Sequence, residues 1–272
     1  MLSSLGFLST FLFNNFLKEK YNSRKLELEE SIENILNKNV DLGDYVGIRF
    51  LGISLGNSKI NDKKNIDSEI KAQNVYLGIM PLRSFLEQKW IIKIRPKQTE
   101  IYINRDFFKR NESYQKAQIS KKIKSKYELH FNLNKYSTLK LKNLGLKTKL
   151  RGNIIYKSID RQIIANLKSS FDEKGFLKIR FNKKLNQDFL KIDLFSKGLD
   201  LENSQYIIGK RKISFKKGKF KSNFKFNKLS TETFCKGRFS FTNLKIKPQD
   251  FSENINSDST SFFCKDNNLI VN

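Results

Sequence analysis

Residues able to do chemistry are few in this chain, and their spacing serves none of the familiar reactions. His130 is the one histidine. A Ser–His–Asp or Cys–His relay would have to run through it. It falls at a polar position of the alternating segment Tyr127–Asn134, where a surface histidine is expected. The two cysteines, Cys235 and Cys264, cannot make a metal set with a single histidine. We read them as free thiols in preference to a disulfide. Asp160, Asp172 and Glu173 lie near predicted turns, where carboxylates are ordinary. Neither a G-x-x-x-x-G-K phosphate loop nor an H-E-x-x-H pair occurs. The expectation is a protein that is not an enzyme and uses no metal or cofactor.

Charge is the stronger compositional signal. The 272 residues carry a formal +26 and a mean hydropathy of −0.54. Lys109 to Lys228 holds most of that excess. Such a field suits an anionic partner, nucleic acid or a membrane surface. Lysine far outnumbers arginine, however, and asparagine, isoleucine and phenylalanine are frequent, as in proteins from AT-rich genomes. Phosphate and base recognition favours arginine's planar fork, so most of the charge reads as a solvated face. The 24 Phe and 9 Tyr argue against disorder, because disordered chains are poor in aromatics.

The elements follow from two periods. Leu2–Leu17 is apolar but shorter than the ~20 residues a spanning helix needs, and no basic residue precedes it. We read residues 1–20 as a truncated anchor or an interfacial helix, the remaining reading being a helix that caps β structure. Tyr21–Asn39 reads as an amphipathic helix, with Leu28, Ile32, Ile35 and Leu36 on one face and Glu27, Glu29, Glu30 and Glu33 on the other.

From there the period is two. Tyr127, Leu129, Phe131 and Leu133 alternate with polar residues, as do Leu139 and Leu141, and then Leu144, Leu146, Thr148 and Leu150. Downstream come Leu177, Ile179 and Phe181, then Leu190, Ile192 and Leu194, then Phe220, Phe224 and Phe226. Side chains of a strand point alternately to opposite faces, so each segment has one greasy and one cationic face. Gly-containing turn signals at Lys174-Gly175, Lys197-Gly198, Gly209, Lys217-Gly218 and Lys236-Gly237 predict antiparallel meanders. Pro81, Pro96 and Pro248 are placed outside strand interiors. Phe251–Ser261 reads as a polar loop. Periodicity alone leaves open whether the greasy face is a closed core or an open groove.

Two ordered blocks bear on that choice. Ile32–Ile60 (IENILNKNVDLGDYVGIRFLGISLGNSKI) resembles the opening of AsmA/TamB-type envelope proteins, in which a helix ends in a short "LG-R-P-V-x-LG" element before the first hairpin of a groove. Ile35–Gly43 occupy that element, with Asn37 and Asn39 where Gly and Pro are usual. Ser68–Asp106 resembles the family's second signature, a strand, "P-L-x-x-L", a basic strand and "P-x-x-x-(I/V)-Y-(I/L)". Pro81, Leu82 and Leu86 match its first part; Pro96, Ile101, Tyr102 and Ile103 match its last, with one extra residue after the proline. Lys236–Pro248 is similar to the later repeats.

The resemblance implies a mainly β fold, an elongated antiparallel, curled, groove-like sheet with an N-terminal amphipathic helix. Residues 21–110 would form a chorein-like cap, 111–250 the groove, and 251–272 a polar loop and truncated end. It implies a protein of the cell envelope, associated with the inner membrane and facing the periplasm or its plastid equivalent. Its partners would be phospholipid acyl chains, a membrane surface and an outer-membrane assembly protein. The alternating apolar sets would line the groove. Two alternatives stand beside it. One is a scaffold for outer-membrane assembly or protein translocation through an exposed sheet edge. The other is a basic nucleic-acid-binding module, which needs aromatic and cationic side chains on one face. Phe220, Phe224 and Phe226 face away from the neighbouring lysines, so no specific nucleic acid is expected.

Overall fold

A computed structural model describes residues 2–36, 38–61, 68–103, 126–141, 146–170, 175–202, 205–208, 211–230, 232–265 and 268–271. Among them one helix precedes seventeen strands that join in a single sheet. The order is α1 (Leu2–Leu36), β1 (Asn39–Asp41), β2 (Tyr45–Arg49), β3 (Gly52–Leu55), β4 (Ser58–Asn61), β5 (Glu69–Ile79), a short α2 (Pro81–Leu86) and β6 (Trp90–Ile103). There follow β7 (Tyr127–Leu133), β8 (Thr138–Leu141), β9 (Leu146–Lys157), β10 (Gln162–Ser170), β11 (Phe176–Lys184) and β12 (Phe189–Asp200). The last strands are β13 (Gln205–Ile208), β14 (Arg211–Leu229), β15 (Glu232–Pro248), β16 (Ile255–Lys265) and β17 (Asn268–Val271). The expectation of a mainly β chain behind an N-terminal helix is met.

The apolar run and the following helix form one continuous element. Its sheet-facing ridge advances four residues at a time, as side chains on one helix face must. Phe13 and Leu17 face Ile48 and Ile53. The buried Tyr21 donates its hydroxyl to the Gly43 carbonyl at 2.7 Å, and Lys25 reaches Asp44 at 3.2 Å. Glu29 and Glu33 accept the backbone N–H groups of Leu42 and Val40, both at 2.8 Å. The predicted facing is thus corrected: two of the glutamates assigned to water hold β1, whereas Leu28 is exposed. Among the described residues β1 pairs with β4, and the carboxylates satisfy the N–H groups of Val40 and of Leu42 just beyond the strand, where leucine could not. From Asn14 to Glu33 this helix packs on the sheet, while Phe11, Leu12, Phe13 and Phe16 stay exposed. Among the described residues no helix is long and apolar enough to cross a membrane.

Most pairings are antiparallel, but β6 pairs in parallel with both β7 and β8, which corrects the meander at that joint. A parallel pair needs a long return connection, and the chain between Ile103 and Tyr127 is long enough to make one. Elsewhere predicted turns prove to lie inside strands, two of them at register slips. Gly198 (φ 69°) lies inside β12, where register slips between Ser196 and Leu199. Gly218 lies inside β14 beside two further slips, and Gly237 (φ 127°) lies inside β15. A glycine with positive φ serves a bulge as well as a turn. Several real turns use residues with side chains instead: Leu51, Arg161 and Ser230 all have positive φ.

Pro96 is inside β6, contrary to its expected place, and lies opposite Val75. The adjoining pair Asn74 (φ 46°) and Lys97 drops out of the ladder. This paired kink keeps Val75 and Pro96 buried on one side of it and Ala72 and Thr99 on the other. The segment Phe251–Ser261 is also corrected: most of it belongs to β16, whose Ser257, Ser259 and Ser261 pair with Leu244, Thr242 and Ser240.

Little of this sheet is covered. Seven of the buried apolar residues gather in two small clusters, Tyr21 with Leu55, Ala72 and Val75, and Ile101 with Leu133 and Leu150, and the others lie scattered along the sheet. The accessible surface is 18694 Å² for 32.0 kDa, against about 12000 Å² for a compact monomer of that mass.

Candidate functional site

The strand registers place the predicted lining residues on one face of one sheet. Residues opposed in a ladder share a face, so a row can be followed from strand to strand. One row runs from Ile53 through Leu77 and Ile94 to Phe131. It continues through Ile154 and Ala165 to Phe181, and then through Ile192 and Phe226 to Cys235. A second row joins Leu133, Gly152, Leu167, Ile179, Leu194 and Phe224. Tyr127 and Leu129 continue the face next to Trp90 and Ile92. Leu139 and Phe131 pack around the buried Leu133 and Leu150, and Leu177 lies between Ser169 and Ser196. Leu190 sits between Lys183 and Lys228, where apolar character gives way to charge. The side chain of Leu141 is outside the described set, as are Leu144, Asp172, Glu173, Lys174 and Gly209.

Most of these side chains are half-buried. Among the described residues no second sheet packs on them, and α1 covers the first rungs. Polar groups on the face are turned inward. Ser196 donates its hydroxyl towards the carbonyls of Phe176 and Phe220, and Ser169 pairs with Thr148 at 2.5 Å. The surface presented outward is hydrocarbon and aromatic rings.

Towards the C-terminal strands the face becomes an aromatic cluster that includes Phe239, Phe241 and Phe262, none of them predicted as lining. Phe239 stacks on Phe262 with centroids 4.8 Å apart, and Phe220 meets Phe241 at 5.2 Å. The alternation of Phe239 and Phe241 was visible in the sequence; Phe262 was hidden because its strand is rich in serine. The same strands carry a disulfide between Cys235 and Cys264, Cα atoms 5.7 Å apart, which corrects the free-thiol reading. Cys264 opposes Gly237, two residues from Cys235, so strand pairing brings the two sulfurs together.

At its other end the face opens into a cavity of about 1060 Å³. Ile48, Ile53 and Ile79 form the sheet side; Phe13 and Leu17 of α1, Phe85 of α2 and Trp90 surround it. Trp90 opposes Tyr127, so the cavity continues into the predicted lining. Burial, with Glu29 and Asp44 nearby, pushes the Tyr21 phenol up to about 12, keeping it a neutral donor to Gly43.

The opposite face is polar but not wholly solvated. Glu128 is 3% exposed and meets Lys89 at 2.6 Å and His130 Nε2 at 3.0 Å. Burial alone would raise its pKa; Lys89 and His130 outweigh that and hold the carboxyl below the usual range. His130 is therefore a partly buried member of a charged cluster that ties the exit of α2 to β7, which corrects its surface assignment. Among the described residues no group of three or more His, Cys, Asp or Glu could hold a metal ion. Phe176 and Phe195 also lie on this face, their rings 5.9 Å apart, with the Lys168 ammonium 4.4 Å over Phe176.

These features define a single-sheet β protein with one uncovered apolar face. No protein-family model, curated protein or solved structure matches the chain.

Proposed function

We propose that the uncovered face binds phospholipid acyl chains and that the chain works, without catalysing a reaction, as an AsmA/TamB-like lipid carrier of the cell envelope. The observation that carries this is the unbroken apolar row from Ile53 to Cys235, partly exposed except at the buried Ala165 and continuous with the cavity beside Trp90. An acyl chain laid across it gains about 0.8 kcal/mol per buried CH₂. Strand spacing makes the ladder from β1 to β17 roughly 55–60 Å long along its hydrogen bonds, room for several chains. The disulfide suits an oxidising compartment such as the periplasm. A scaffold role in outer-membrane assembly is compatible with the same face.

One observation favours a second reading. Phe176 and Phe195 share a face with Lys168, Lys178 and Arg180 around a cavity of about 500 Å³, the mixture that single-stranded nucleic acid uses. The two readings part on which face carries the ligand. Quantitative mass spectrometry of lipids co-purifying with the intact protein should show several-fold less phospholipid for Phe131→Asp and Ile179→Asp, and no loss for Lys178→Glu. Equal trace lipid in all four preparations, each with wild-type circular dichroism, would sink the lipid reading.

A further inference from the structure

The end of the sheet beside α2 exposes more hydrocarbon than its fold requires. At the β2–β3 hairpin tip Phe50 is 87% exposed, and on α2 Leu82, Phe85 and Leu86 are 78%, 82% and 74% exposed. Trp90, the single tryptophan, is 59% exposed at the start of β6. These groups belong to one surface. Ile79, which leads into α2, donates its N–H to the Leu51 carbonyl at 2.9 Å, and Met80 donates to the Ile91 carbonyl at 3.0 Å. The tip itself is held, since Tyr76 donates its hydroxyl to the Phe50 carbonyl at 2.7 Å. Leu51, Phe85 and Trp90 all border the large cavity.

Scattered exposed apolar residues are ordinary; a contiguous set of this size marks an interaction site. The charges around it define the partner. Arg49, Lys89 and Lys126 line the same cavity, and Arg83 projects from α2. Arg83 and Lys89 are engaged in ion pairs with Glu87, and Lys89 also with Glu128, so Arg49 and Lys126, both exposed, are the cations offered to a partner. Exposed cations beside protruding Phe and Leu side chains, with a tryptophan at the polar boundary, match the headgroup layer of a bilayer: rings and alkyl chains enter the acyl boundary and cations meet phosphate.

We infer that the β2–β3 tip, α2 and Trp90 form a docking surface for the interface of a bilayer containing anionic phospholipid. This stands apart from acyl-chain binding on the sheet face, which it neither requires nor proves; if both hold, the cavity opens onto the membrane where a lipid would leave it.

Trp90 supplies the test. The full-length protein is mixed with vesicles of phosphatidylcholine, or of phosphatidylcholine with phosphatidylglycerol, and both sedimentation and Trp90 emission are followed. Anionic vesicles should pellet the protein and shift Trp90 emission to the blue. Each large apolar side chain removed should weaken partitioning about tenfold, so Phe50→Ser/Phe85→Ser should lose roughly a hundredfold. These side chains are exposed, and circular dichroism should be unchanged. Phe131→Asp, expected to lose bound lipid, should pellet like the wild type, so the two proposals can fail separately. Three results overturn the docking surface. One is undiminished pelleting of Phe50→Ser/Phe85→Ser. Another is pelleting without a Trp90 shift. The third is a concentration-dependent dimer that this double variant abolishes, which would give the patch to a second copy.

Discussion

At the scale of single residues, the informative side chains are those the period-two pattern treats as background. Glu128 occupies a polar position of β7, yet it is buried because Lys89 from the α2 exit and His130 from its own strand close over it. Its folded-state pKa lies below the ordinary 4.5. Its contribution to stability is therefore complete above that value and is lost as pH falls through the lower folded pKa. Replacing Glu128 by Gln should cost about 2 kcal/mol at pH 7. That is less than the ~3–5 kcal/mol for breaking a fully buried pair, because Lys89 keeps Glu87 at 2.5 Å. In urea denaturation the gap between wild type and variant should narrow steadily below pH 4.5. A gap that stayed constant into strong acid would show that packing, not charge, accounts for the loss.

At the scale of elements, strand length decided much of what the sequence left open. Glycines at 198, 218 and 237 punctuate strands that continue past them. The bulges at Gly198 and Gly218 shift which residues share a face, so alternation breaks where local reading expects a turn, while Gly237 keeps its register. Pairing of β15 with β16 is what brings Cys235 to Cys264 across a sequence separation of 29. A loop of that length stabilises by about 3–4 kcal/mol through the unfolded chain. Cys235→Ser/Cys264→Ser should lose a comparable amount in guanidinium denaturation, and a reducing agent should lower the wild type to the same level. Were the reducing agent to leave the wild type unchanged, the two sulfurs would not be bonded in the purified protein.

At the scale of the whole molecule, each strand leans chiefly on its two neighbours, and among the described residues no central core gathers them. Stability in such an array is close to a sum of nearest-neighbour terms, with the ends opening first. Amide hydrogen exchange should be slowest in β9–β12, inside the ladder, and fastest in β17, which pairs on one side through four residues. Uniform protection from β1 to β17 would instead point to a single cooperative core.

Much of the candidate site was legible beforehand. Tyr127 to Leu133, Leu177 to Phe181 and Phe224 with Phe226 announce one greasy face each, because alternation is written in the covalent geometry of an extended chain. Folding could only align those faces, and the registers do so without a break from Ile53 to Cys235. What local pattern could not carry was set by pairing between distant segments: the parallel joint at β6, the bulges, the disulfide, the burial of Glu128 and the recruitment of Phe262. Coverage of the apolar face belongs to the same class. A strand alternates identically whether or not another layer lies over it, and only the packed chain shows that no second sheet does so among the described residues.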